Sequence, residues 1–132
     1  MATRSSAPTS KRRLGDAGER IAARELQARG WRIVERNYRC AEGEMDLVAR
    51  AGEQWVFVEV KTRRGDRFGA PEESVNARKQ KKLIAVAERY LQEHDLSDAH
   101  WRIDVVAVEM DARGKLLRVE VIEHAVSADP AP

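Results

Sequence analysis

The stretch from Trp55 to Thr62, reading Trp-Val-Phe-Val-Glu-Val-Lys-Thr, restricts the fold more than any other part of the chain. Side chains alternate along a strand, so Val56, Val58 and Val60 project to one side and Phe57, Glu59 and Lys61 to the other. Both sides carry apolar groups, as expected for an interior strand covered on two faces. Arg50 and Trp55 flank the turn Ala51-Gly52-Glu53-Gln54, so residues 44–50 and 55–62 read as a hairpin. A symmetric register opposes residues whose numbers sum to 105, setting Asp46 against Glu59 and Glu44 against Lys61.

The remaining elements follow from periodicity. Leu14, Gly18, Ile21, Ala22 and Leu26 recur at the helical period, which predicts a helix over 14–29 ended by Gly30. Residues 31–39 read as a first strand. Residues 63–73, rich in Gly, Asp and Pro, read as a surface loop in which Phe68-Gly69-Ala70-Pro71 would form a flap. Ser74 is the expected N-cap of a helix running to Glu93, with Leu83, Val86, Ala87 and Tyr90 on its inner stripe. Residues 102–110 and 116–123 are the last two strands, joined through Asp111-Ala112-Arg113-Gly114. The order α-β-β-β-α-β-β implies one α/β domain over 14–126, a central mixed sheet of about five strands flanked by helices. Residues 1–13 are expected to be a disordered basic tail and 127–132 a second disordered tail.

Composition narrows the function classes. The 132 residues suffice for one domain with a real core. A net charge of +2 means that any nucleic-acid footprint must be local rather than global. Cys40 is the sole cysteine, so no intrachain disulfide forms and a reducing cytoplasm is the expected setting. Met1 to Arg13 lacks the apolar stretch of a secretory signal, and no run approaches the ~20 apolar residues of a membrane span.

The chemistry concentrates on the hairpin. Directly opposed carboxylates repel unless a cation lies between them, and a divalent metal held by oxygen ligands is one such cation. The spacing Asp-x(12)-Glu-x-Lys brings Asp46, Glu59 and Lys61 to one side of the sheet. There Asp46 and Glu59 would hold the ion, with the Val60 carbonyl as a third oxygen, and Lys61 would orient or deprotonate an attacking water. A solvated charge ladder with a Glu44–Lys61 ion pair is the alternative, weakened by the apolar setting of Glu59. Glu19, at the border of the first helix's apolar side, either joins the metal ligands or makes a local ion pair. Lys79 lies in line with Leu83, Val86 and Tyr90, so it either snorkels to solvent or reaches the cleft beside Lys61. Two basic stretches would follow a nucleic-acid backbone: one with Arg63, Arg64 and Arg67, the other with Lys79, Lys81 and Lys82. Asp104 is expected to bond loop amides, and Asn37 and Arg39 to shape a strand end.

Gly18-Glu19, Asn37-Tyr38-Arg39, Gly43-Glu44-Met45-Asp46-Leu47, the run from Val56 to Arg63, Lys79 and Arg102-Ile103-Asp104-Val105-Val106 form an ordered set spanning nearly all of 14–126. This set resembles the signature of the YraN-like family of bacterial proteins. That family is grouped with the restriction-endonuclease-like superfamily of PD-(D/E)XK nucleases, related by fold to archaeal Holliday-junction resolvases. The resemblance implies a restriction-endonuclease-like domain with a Mg²⁺ or Mn²⁺ site and endonuclease action on DNA, RNA remaining an alternative. Branched or structured DNA in repair or recombination is the implied substrate. The superfamily's acidic pair matches Asp46 and Glu59, its lysine Lys61, and the helix-borne acid of the resolvase-like branch Glu19. Met45 stands where the superfamily motif has proline. A homodimer is expected of an enzyme that cuts two strands symmetrically. A non-catalytic module gripping nucleic acid or a protein is the rival expectation.

Overall fold

The computed structural model describes residues 10–65 and 75–126. Among them the chain forms α1 (Ser10–Ala28), β1 (Arg32–Cys40), β2 (Gly43–Ala51), β3 (Gln54–Arg64), α2 (Ala77–Glu93), β4 (Trp101–Met110) and β5 (Leu116–Val126). This is the expected order. The strands lie side by side in sequence order in one mixed sheet. β3 and β4 run parallel, because the connection between them carries α2 back along one face. The other neighbours are antiparallel.

The alternation along β3 decides the layers. Val56 and Val58 are fully buried with Ala22, Ala23 and Leu26 of α1 and with Val106 and Val108 of β4. Trp55 and Phe57 face the opposite way, onto Leu83, Val86, Ala87 and Tyr90 of α2. β3 is therefore an interior strand with a helix on each side, and each fully buried valine contributes roughly 1.5–3 kcal/mol. Tyr90 is the hub of the α2 layer, its ring 5.0 Å from Tyr38, 5.6 Å from Phe57 and 5.8 Å from Trp55.

Several boundaries differ from the sequence reading. α1 starts at Ser10, so residues 10–13, assigned above to the tail, are helical. Lys and Arg are good helix formers and no Gly or Pro intervenes, so the helix propagates through them. Arg63 and Arg64, assigned to the loop, pair with Glu109 and Met110 as the end of β3. The cap of α2 is Asn76, whose side-chain oxygen accepts the Lys79 N–H at 2.9 Å; Ser74 lies outside the described residues. Both residue types cap well, and sequence alone does not say which starts the helix. Asn76→Ala is expected to cost about 1 kcal/mol and Asn76→Ser much less, read from urea midpoints. Equal midpoints for wild type and the alanine variant would exclude this cap.

Two polar locks hold the sheet to its surroundings. Asp104, fully buried, accepts Arg102 Nε at 3.0 and 3.1 Å and the His124 N–H of β5 at 3.0 Å, so its partners are a neighbouring side chain and a strand amide rather than the loop amides expected. Arg102 also donates to Gln54 at 2.7 Å and lies over the Trp31 ring. Arg89 of α2 grips Glu42 in the β1–β2 turn through two bonds of 2.9 and 2.8 Å. These bonds hold the Glu42 carboxyl down at about 2. Among the described residues no helix is long and apolar enough to cross a membrane.

Candidate metal centre

The site arises where β2 leaves β3. Their ladder keeps the expected register from Ala51↔Gln54 to Leu47↔Val58 and then stops. Beyond that point the Val60 N–H donates to Asp46 Oδ2 at 2.7 Å, so a carboxylate stands where a backbone carbonyl would continue the ladder. Asp46 and Glu59 are consequently not a ladder pair, although each still feels the other's charge. The expected Glu44–Lys61 pair is absent as well. Glu44 lies opposite Arg39 of β1 and pairs with it at 3.3 Å, both exposed, because β2 at this end follows β1.

Lys61 turns to its own strand. Its Nζ is 3.4 Å from Glu59 Oε1, and Lys79 Nζ reaches the same oxygen from α2 at 3.5 Å. Glu59 is 6% exposed, so its charge is compensated inside the protein rather than by water. The pairing also explains a lysine in the first turn of a helix. The macrodipole disfavours positive charge there, and the Glu59 carboxylate offsets it. Of the two readings of Lys79, the one in which it reaches the cleft is observed.

Glu19 comes from α1 and hydrogen-bonds Asp46. Its approach depends on Gly18: a Cβ there would lie 1.9 Å from Thr62 Oγ1 and 2.9 Å from Thr62 Cβ. The absent side chain lets the helix backbone lie directly on β3. Asn37 completes the contact. It interrupts β1 with φ +55°, and its amide, oriented to donate, lies 3.2 Å from both Glu19 oxygens. Asn37 was assigned above to strand shaping alone. Its tolerance of the left-handed region was the available signal, since a polar residue mid-strand with that freedom often turns inward.

The electrostatics follow from crowding. Desolvation first, then the Glu59 and Glu19 charges, push Asp46 up to about 8 against the opposing Val60 N–H. Burial likewise raises Glu19, with the Asp46 and Asn37 bonds opposing. Burial and the neighbouring acids thus favour the protonated form of Asp46, while Lys61 and Lys79 lie against Glu59. As they lie, no group of three or more His, Cys, Asp or Glu among the described residues is arranged to hold a metal ion. The donor chemistry nevertheless fits a hard divalent cation. Glu19, Asp46 and Glu59 are oxygen donors whose repulsion is presently relieved by a proton and two ammonium groups.

The remaining basic residues are spread around this centre. Lys81 and Lys82 are exposed on α2, and Arg63 is partly exposed. Arg64 Nε donates to the Ala112 carbonyl at 3.0 Å, tying β3 to the β4–β5 turn. Arg67 and the segment Phe68-Gly69-Ala70-Pro71 lie outside the described residues. An open cavity of about 480 Å³ at the end of β1 and β2 is lined by Arg39, Cys40, Gly43 and Glu44.

Comparison with known proteins gives consistent results. A protein of Roseiflexus castenholzii is 48% identical over 115 residues, covering 86% of this chain and 93% of its own. One of Moorella thermoacetica is 48% identical over 115 residues, covering 87% and 96%. One of Beutenbergia cavernae is 52% identical over 107 residues, covering 81% and 90%. Each is described as a UPF0102 protein. Among solved structures, that of Pyrococcus furiosus SfsA in complex with Ca²⁺ aligns with a TM-score of 0.42 at 19% identity, over 89% of this chain and 65% of that one. The model of the uncharacterised protein family UPF0102 matches residues 18–108, a span that holds Glu19, Asn37, Asp46, Glu59, Lys61 and Lys79, and the chain belongs to that family.

Proposed function

We propose that this protein is a Mg²⁺- or Mn²⁺-dependent endonuclease that hydrolyses phosphodiester bonds in DNA, on a domain of the restriction-endonuclease-like superfamily. One observation supports the reading above the others. Asp46 of β2 is held by the Val60 N–H of β3 just past the end of their ladder, Glu19 of α1 and Glu59 of β3 both act on its charge, and Lys61 and Lys79 converge on Glu59. Asp46, Glu59 and Glu19 would hold the cation. When bound, such an ion supplies Lewis-acid polarisation of the phosphate and neutralises its charge.

The chain's own groups do the rest. The Val60 N–H fixes the Asp46 carboxylate, and Asn37 fixes Glu19. Lys61 and Lys79, released from Glu59 as substrate enters, present ammonium groups to the non-bridging and departing oxygens of the scissile phosphate. Lys61 is the group placed to orient the attacking water. Arg63, Arg64, Arg67, Lys81 and Lys82 would grip flanking phosphates, and branched or structured DNA is the substrate class the resemblance implies.

A second reading has one observation in its favour: Glu59 already carries two lysines, as in a scaffold that binds nucleic acid without cutting it. Magnesium titration by calorimetry, with and without Asp46→Ala, separates the two. A nuclease is expected to show a saturable site lost in the variant, and metal-dependent cleavage of linear, flapped or four-way DNA. Salt-sensitive DNA binding with no metal site would reject the enzyme in favour of the module.

A further inference from the structure

β1 and β5 are the two edges of the sheet. The register of β1 shifts between Ile33 and Glu35, Asn37 stands within it at φ +55°, and Arg32, Arg36 and Arg39 are exposed along it. Such features discourage another strand from adding. β5 spans 11 residues, Leu116–Val126; Arg118 to Ile122 pair with β4 in unbroken register, between one shift at Leu116–Arg118 and another at Ile122–Val126, where His124 stands at φ +51°. On its free side every second residue turns its N–H and C=O outward. Beside this regular stretch Leu116 and Leu117 are 44% and 63% exposed. Among the described residues no strand pairs with that edge.

We propose that β5 is a homodimer interface, on which the β5 of a second copy of this chain adds antiparallel across a two-fold axis. Charge selects the register. With Val119 on the axis, Arg118 of each copy lies opposite Glu120 of the other, twice over, within the regular stretch Arg118–Ile122. Sliding one copy to the neighbouring registers of the same facing sets Arg118 against Arg118 or Glu120 against Glu120, which directly opposed strands disfavour. Within one chain Arg118 already pairs with Glu109 and Glu120. The dimer extends that ladder across the axis, each arginine lying between acids of both copies. The axis makes the contact isologous and therefore closed, so the edge is consumed and no fibre grows. The interface does not depend on the nuclease reading.

Sedimentation velocity of the full chain tests it. The wild type is expected to sediment at twice 14.9 kDa at tens of micromolar. Arg118→Glu and Glu120→Arg, each on an accessible strand position, are expected to be folded by circular dichroism and monomeric alone. Mixed in equal amounts they are expected to regain the dimer mass, since one variant offers two acids where the other offers two bases. A monomeric wild type, single variants that still dimerise, or a mixture that stays monomeric would each overturn the proposal.

Discussion

Asp46→Asn is expected to be more stable than the wild type at pH 9 in chelator, to match it near pH 4, and to have lost cleavage. The sign follows from the raised Asp46 carboxyl. The Asp46 carboxyl is pushed up to about 8 in the folded protein, from 3.8. Between those values the folded chain keeps a proton that the unfolded chain releases, so wild-type stability falls as pH rises and levels off above pH 8. Each unit of displacement is worth about 1.4 kcal/mol, giving a gap of several kcal/mol at the plateau. An asparagine does not titrate. Its carbonyl can still accept the Val60 N–H and its amide can donate to Glu19, so the fold keeps both contacts. Cleavage is expected to drop on the order of 10³-fold, equivalent to about 4 kcal/mol of transition-state stabilisation. Urea midpoints at pH 5, 7 and 9 check the first half and a DNA cleavage assay the second. A stability gap that stays constant or narrows with pH would exclude the raised Asp46 carboxyl. Undiminished cleavage by the folded variant would exclude Asp46 from the site.

That pairing of lost activity with gained stability is what a preorganised site entails. In the proposed nuclease the carboxylates would be held together against their repulsion, the fold bearing the cost until a cation or substrate arrived.

The sequence disclosed the frame of this site better than its contacts. The alternation of β3 fixes which residues face α1 and which face α2, and the short turn after Arg50 fixes the register of the hairpin. Lys79 was legible because a lysine in line with Leu83, Val86 and Tyr90 must either reach out or find an acid. Glu59 is that acid. What stayed hidden was where pairing ends. Nothing in the residue pattern says that the ladder stops at Leu47 and Val58 and that Asp46 then bonds a backbone N–H. The choice between continuing β3 and following β1 is tertiary, made by Asn37 and by the Arg39–Glu44 pairing at the far end of β2. For the same reason the two expected cross-strand pairs give way to Asp46 with Glu19, a contact that needs α1 in place, and to Lys61 with Glu59 of its own strand, where Lys79 of α2 joins them. The start of α2 was ambiguous because caps are local and Ser74 and Asn76 both qualify. The two-fold register proposed for β5 was not legible either, since it depends on which strand is left at the edge.

Gly18→Ala is expected to destabilise the protein by about 3 kcal/mol and to reduce cleavage on the order of 10²-fold, although helix propensity alone predicts the reverse. Alanine in place of glycine in a helix interior is worth roughly 1 kcal/mol in favour of folding. Packing outweighs it. The new methyl would stand 1.9 Å from Thr62 Oγ1 and 2.9 Å from Thr62 Cβ. Rotating the threonine relieves the first contact but not the second, so α1 must lift from β3. Overpacking of this kind costs about 1–3 kcal/mol by itself. Lifting α1 also loosens Ala22, Ala23 and Leu26, which are fully buried against the valines of β3 and β4. Activity falls because Glu19 adjoins Gly18 and moves with it, and a displacement near 1 Å at a reacting centre is worth about 10² in rate. Thr62→Gly removes every contacting atom, so Gly18→Ala combined with Thr62→Gly is expected to recover a large part of both losses relative to Thr62→Gly alone. Their non-additivity in a double-mutant cycle measures the contact. A Gly18→Ala variant as stable as the wild type, or losses that simply add, would show that α1 does not owe its position, or Glu19 its place at Asp46, to the missing side chain.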